Sequence, residues 1–118
     1  MLATLGHTDT IIIADCGLPI PKEIRCIDVS LQLGTPSFLS VLEPIVEEME
    51  IEKLILANEI KTDNSKLHGQ LTKIYQAIPV EYIAHEELKN HIKDVKAVIR
   101  TGEATPFANV ILQAGVIF

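Results

Sequence analysis

Tryptophan is absent, and only five aromatic side chains occur: Phe38, Tyr75, Tyr82, Phe107 and Phe118. A site that works mainly by stacking rings has little to draw on. Basic residues are also scarce, with 10 Lys and Arg against 16 Asp and Glu and a formal net charge of −6. A nucleic-acid surface needs a basic footprint, so that class is disfavoured. Docking on an anionic membrane is disfavoured for the same reason. Long apolar runs are missing as well. A spanning helix needs about 20 consecutive apolar residues, and stretches such as Thr10–Ala14 and Val110–Leu112 are far shorter. There is no basic segment leading into an apolar one, so no secretory signal is visible.

Cysteine is sparse too. Cys16 and Cys26 suit a reducing cytosol, fall short of the four ligands of a zinc site, and read as two small buried thiols. The phosphate-cradling and hydrolase motifs G-x-G-x-x-G, G-x-x-x-x-G-K-[ST], H-E-x-x-H and G-x-S-x-G do not occur. His85-Glu86-Glu87-Leu88-Lys89 starts like the third of these, but position 89 is Lys. No cofactor is implied.

Aliphatic residues, by contrast, are in surplus. The chain of 118 residues is 47% apolar, with a mean hydropathy of +0.28. A single domain of this size buries only about two thirds of the surface its unfolded chain exposes. The excess of Ile, Leu, Val and Ala predicts a soluble oligomer that hides part of it between subunits.

Strand-like and helix-like stretches alternate along residues 1–118. Thr10–Asp15, Ile24–Leu31, Lys53–Ile60, Val80–Ala84, Ala97–Thr101 and Asn109–Phe118 read as strands. Thr35 and Pro36 read as the cap and first position of a helix over Ser37–Met49, which Pro44 should kink or split. A second helix is expected from Thr62–Ser65 to about Ala77, and a short polar one over His85–Lys93. The predicted architecture is a single α/β domain. Its sheet has about six strands, mostly parallel but mixed, with helices on both faces in three layers. The last strand follows a short turn and is open to an antiparallel placement.

Ligands of such sheets bind beyond the carboxyl ends of the strands. Asp15, Asn58, Glu59, Lys61, His85, Arg100, Thr101, Glu103 and Asn109 fall there. Each has a plainer reading. Asp15 fits an Asx turn before Gly17, His85 a helix cap, and Arg100 with Glu103 an ion pair of the scaffold. His7 fits a loop histidine, His68 and His91 solvated helix faces, and Glu47, Glu48, Glu50 and Glu52 a solvated acidic face. A carboxylate, an imidazole and an amide without a cofactor suit acid–base chemistry on a small polar molecule, or binding alone.

Several blocks in fixed order carry a more specific signal: Leu5-Gly6-His7-Thr8-Asp9, Asp15-Cys16-Gly17-Leu18-Pro19-Ile20-Pro21, Ile27-Asp28, Ala97 to Glu103, Thr105 to Asn109, and Ala114 to Phe118. Together they resemble the D-ribose pyranase family, the ribose and fucose mutarotases, over nearly the whole chain. The resemblance implies a cytoplasmic isomerase that interconverts pyranose and furanose forms of D-ribose, with no metal, nucleotide or other cofactor. It implies His7 as the catalytic residue and Asp15, His85, Phe107, Ala108 and Asn109 as sugar-binding residues. It also implies a homo-oligomer of stacked rings, a decamer, with sites at subunit contacts. The Gly17–Pro21 block and His85 resemble the ribose branch; a fucose-type mutarotase and a sugar-binding module with lost or weak turnover are the alternatives.

Two departures from the family pattern stand out. Phe107 occupies a position where the family usually has Tyr. A lost hydroxyl bond of about 0.5–1.5 kcal/mol would weaken binding or turnover without changing the reaction. Met1 stands six residues before His7, where the family normally carries a helical segment, and that shortening is expected to loosen His7. With Phe107 as the one ring at the site, sugar recognition should rest on hydrogen bonds. The apolar tail Gly115–Phe118 directly follows the sugar cluster and is expected, with the last strand, in a subunit contact. Deleting these four residues should dissociate the ring and abolish activity together. Gel filtration and an activity assay check this, and a fully active monomer would refute it.

Overall fold

The computed structural model describes residues 5–115. The elements run β1 (Thr10–Ala14), β2 (Cys26–Asp28), α1 (Phe38–Glu48), β3 (Ile51–Ala57), α2 (Ile60–Asp63), α3 (Ser65–Ile74), β4 (Val80–Ile83), α4 (His85–Asn90), a 3-10 turn (His91–Asp94), β5 (Ala97–Arg100) and β6 (Val110–Ala114). The strands form one sheet in the order β2-β5-β1-β6-β3-β4. β1 pairs in parallel with β5, β5 with β2, and β3 with β4. β6 runs antiparallel to both of its neighbours, β1 and β3. The mixed, mostly parallel sheet expected from the sequence is present.

Alternation along the strands divides the core into two layers. Ile11 and Ile13 of β1 face Phe38 and Leu42 of α1, Ile60 of α2, and Leu67 and Leu71 of α3. Ile12 and Ala14 face Leu18, Leu88 of α4 and Ile92. The central strands are apolar on both faces because helices cover both.

Local details depart from the periodicity. α1 is capped by Ser37, whose hydroxyl accepts from the Ser40 N–H at 3.2 Å, rather than by Thr35. Pro44 does not split α1. It sits on the exposed face, and Ser40, whose carbonyl loses the i+4 donor, is exposed as well, so water can satisfy the orphan acceptor. β2 keeps three residues of the expected strand because it is an edge strand paired only to β5. Beyond it the Asp28 carboxylate accepts from the Ser30 N–H and hydroxyl and turns the chain away. β3 ends at Ala57, so Ile60 belongs to α2. Cys26 lies exposed on β2 and Cys16 is half-buried, so neither is the buried thiol expected; both are free. β6 is interior, paired along both edges, with Val110, Ile111 and Leu112 buried. The last residues of the tail expected in a subunit contact, 116–118, lie outside the described residues. Among the described residues, the large apolar side chains left in water are Leu31 and Leu33, 80% and 78% exposed in the loop after β2, with Val29 and Ile74.

Gly102 follows β5 and passes against the loop before α1. Its N–H donates to the Pro36 carbonyl at 2.9 Å, and a Cβ there would run into the Thr35 carbonyl and sit 2.7 Å from Gln32 O. Both obstacles are backbone and cannot swing aside. Gly102→Ala should lower stability by about 3 kcal/mol, read from chemical denaturation.

Candidate active site

The carboxyl ends of β1, β3, β4 and β5 and the amino end of β6 meet at one edge of the sheet, which brings Asp15, His85, Phe107, Ala108 and Asn109 together. Asn109 is fully buried and reaches across 94 positions of sequence to Asp15. Its Oδ1 accepts from the Asp15 N–H at 2.9 Å, and its Nδ2 donates to Asp15 Oδ2 at 3.2 Å. Asp15 Oδ1 accepts from the Gly17 N–H at 3.0 Å, so the Asx turn expected from the sequence is present alongside the longer contact. The carboxylate is thus fixed in direction while Asp15 remains only half-buried.

His85 opens α4. Its N–H lies 3.1 Å from both oxygens of Glu59, at the end of β3. Its side chain caps nothing: the cap position is Ala84 and carries no side-chain bond. The ring stacks edge-to-face on Phe107, with centroids 5.0 Å apart at 81°. Its Nδ1 is buried and has no hydrogen-bond partner. Leaving a buried polar atom unpaired costs about 1–3 kcal/mol, and a ligand hydroxyl would relieve it.

Phe107 has a φ of +56°, a left-handed conformation that costs a non-glycine residue about 1–3 kcal/mol unless its surroundings impose it. They do here. Asn64 Nδ2 donates to the Thr105 hydroxyl and the Pro106 carbonyl, both at 2.9 Å, and the Asn109 N–H returns to the Phe107 carbonyl at 2.9 Å. Glu103 anchors the start of the loop. Its Oε1 accepts from the Phe38 N–H at the head of α1, at 2.8 Å, and its Oε2 from the Thr105 hydroxyl, also at 2.8 Å. Arg100 is not its partner. Arg100 Nη1 donates to the Cys16 carbonyl at 2.7 Å, and Nε faces Asp28 at 3.7 Å. The Ser30 hydroxyl and N–H, with Arg100 beside them, hold the Asp28 carboxyl below the usual carboxylate range. Asn64, Glu59 and Glu103 are scaffold for the cluster. Asn64 stands at the cap position of α3, but its side chain makes no cap bond and reaches residues 41 and 42 positions away, which no local pattern reveals.

His7 lies elsewhere. It occupies a tight turn closed by Asp9 N–H to Gly6 O at 3.1 Å, just before β1, and so at the opposite end of the sheet from Asp15. The strand between them spans about 13 Å at ~3.3 Å per residue. Thr8, the next residue in the turn, has a φ of +70°, at a position where a type II turn calls for glycine. His7 Nε2 stands 3.6 Å from Glu52 Oε2, and Gln113 Nε2 donates to the same oxygen at 2.8 Å. Glu52 is therefore not merely part of a solvated acidic face. His68, expected to be solvated, is half-buried, with its Nε2 2.6 Å from the Tyr82 hydroxyl; His91 is exposed as expected. Among the described residues no group of three or more His, Cys, Asp or Glu side chains is placed to hold a metal ion.

The model of the RbsD / FucU transport protein family matches residues 1–117. The chain belongs to the RbsD/FucU family. The D-ribose pyranases of Halalkalibacterium halodurans and Bacillus cytotoxicus are 57% and 54% identical over 118 residues, covering all of this chain and 90% of each relative. The structure of Bacillus subtilis RbsD complexed with D-ribose superimposes with a TM-score of 0.96 at 52% identity, covering 99% of this chain and 89% of that one. Fucose mutarotase from Streptococcus pneumoniae shares the fold, with a TM-score of 0.81 at 22% identity, over 99% of this chain and 89% of that one. The RbsD/FucU fold thus accounts for the mixed six-stranded sheet. Within it, the Asp15–Asn109 pair joins the two halves of the cluster. Asn109→Ala should remove a fully buried amide and leave the Asp15 N–H without its partner, at a cost of about 1–3 kcal/mol, measured by thermal or chemical unfolding.

Proposed function

We propose that this chain is a D-ribose pyranase, a cofactor-free isomerase that interconverts the pyranose and furanose forms of D-ribose. Identities of 52–57% to relatives named D-ribose pyranase favour ribose over fucose. The observation that carries the site is the cluster at the carboxyl edge: a fixed carboxylate, a buried amide and a buried imidazole nitrogen without a partner. Such an array recognises hydroxyl groups. Asp15 accepts from sugar hydroxyls, Asn109 holds Asp15 in place, His85 Nδ1 meets a further hydroxyl, and Phe107 and Ala108 close one side.

Changing ring size begins with loss of the proton from the anomeric hydroxyl. The bond from the anomeric carbon to the ring oxygen breaks, the ring oxygen gains a proton, and the open aldehyde forms. A different hydroxyl then adds to the carbonyl. That hydroxyl loses its proton, and the carbonyl oxygen gains one. His7 takes the first proton and delivers it to the ring oxygen, then serves the closure in the same way. The open reaction already runs in water, so a gain of about 10²–10⁴ from positioned proton transfer suffices.

His7 and Asp15 stand at opposite ends of β1, too far apart for one monosaccharide to touch both within one chain. The reading therefore requires that His7 of one copy reach the sugar cluster of another. Exposure of Leu31 and Leu33 supports association between copies, in rings stacked as a decamer. The assembled domains act in the cytoplasm.

The test is saturation-transfer NMR on ribose, following exchange between pyranose and furanose lines. The wild-type protein should accelerate exchange, and His7→Ala and Asp15→Ala should each abolish the acceleration. Co-expressing the two inactive variants should restore part of it, because hybrid contacts pair an intact His7 with an intact Asp15. Binding without acceleration in the wild type would leave a sugar-binding module instead. Absence of complementation would overturn the site shared between copies.

A further inference from the structure

We propose that Glu52 is the positioning residue for His7: its carboxylate holds the Nε2 side of the imidazole and leaves Nδ1 to work on the sugar. This rests on the assignment of His7 as the proton carrier. Three independent features converge on the pair.

The first is a tethered carboxylate. Glu52 Oε2 accepts from Gln113 Nε2 at 2.8 Å and faces His7 Nε2 at 3.6 Å. The Gln113 amide, with His7 and Lys53 adding to it, holds the Glu52 carboxyl below its usual range, so it stays ionised at neutral pH. The second is a bulge. In the β3–β6 ladder Ile51 pairs with Ala114 and Lys53 with Gln113, which leaves Glu52 as the extra residue. A bulge bends its strand and re-aims a side chain, and bulges concentrate beside active sites. Gly115, whose N–H donates to the Glu50 carbonyl at 2.9 Å, pins the chain at the entrance to this bulge. The third is the left-handed Thr8 at φ +70°, held by its N–H to the Ala114 carbonyl at 2.9 Å. Such conformations persist only where the surroundings impose them, and they cluster at functional sites. Two backbone irregularities from different segments thus bring one carboxylate to one imidazole.

The 3.6 Å separation exceeds hydrogen-bond reach, yet catalytic contacts in a free enzyme are often long and tighten when substrate binds. His7 and Glu52 side chains are 52% and 44% exposed, and an ion pair in open water contributes little. Under the reading above, the neighbouring copy's sugar cluster covers the pair and removes that screening. Glu52 takes no proton itself. It stabilises the imidazolium formed while His7 carries the proton from the anomeric hydroxyl to the ring oxygen.

Glu52→Gln should reduce the ribose exchange rate by about 10- to 100-fold with KM unchanged, a smaller loss than that of His7→Ala. Nitrogen-15 spectra of the His7 ring in the intact wild-type oligomer should place the proton of the neutral form on Nε2, and Glu52→Gln should erase that preference. Wild-type turnover in Glu52→Gln beside an inactive His7→Ala would overturn the role of Glu52 alone. Wild-type turnover in His7→Ala would sink the underlying reading instead. If Glu52→Gln fails to assemble, the wild-type spectrum still decides, since a proton resident on Nδ1 overturns the proposal.

Discussion

Strand β6 enters the sheet against the direction of both its neighbours, and the chemistry of the molecule hangs on that reversal. Its amino end delivers Asn109 to the carboxyl ends of β1 and β3, where it meets Asp15. Its carboxyl end delivers Gln113 to the amino ends of the same strands, where it meets Glu52. A parallel strand in this place would put its own carboxyl end where Asn109 now stands. Because β6 is buried on both faces and paired on both edges, it also fixes the distance between the two groups of polar residues.

Under the proposed function, that distance is what calls for more than one copy. A single copy carries Asp15, Asn109 and His85 at one edge and His7 at the other. In that reading neither edge alone carries both the sugar cluster and His7. In the same reading, juxtaposed copies bring the two together and cover the exposed histidine–carboxylate pair. The aliphatic surplus in the composition fits the same economy, and among the described residues its most exposed part lies in the loop after β2.

Much of the carboxyl edge was legible before any coordinates. Asp15, His85 and Asn109 follow or precede strands whose apolar runs are plain, and the rule that ligands sit at strand ends gathers them. The scaffold beneath them was not legible. Asn64 resembles a helix cap in sequence but is used to hold Thr105 and Pro106. Glu103 resembles a partner for Arg100 but instead receives the head of α1. Glu52 was hidden among acidic neighbours, because a bulge leaves no mark in hydrophobic periodicity when the extra residue is polar and exposed.

Local pattern places six strands and three of the helices, shows that both faces of the central strands are covered, and supplies the ordered blocks that tie the chain to its family. These are local properties: side-chain periodicity, capping and short motifs act within a few residues of themselves. Tertiary structure alone decided that β6 is interior, that Ser37 rather than Thr35 caps α1, that His7 belongs with Glu52 and Gln113, and that it stands a strand's length from Asp15. Those outcomes depend on pairings such as Glu52 with Gln113, 61 positions apart. Long-range pairings are settled by sheet register and packing, which no local pattern encodes.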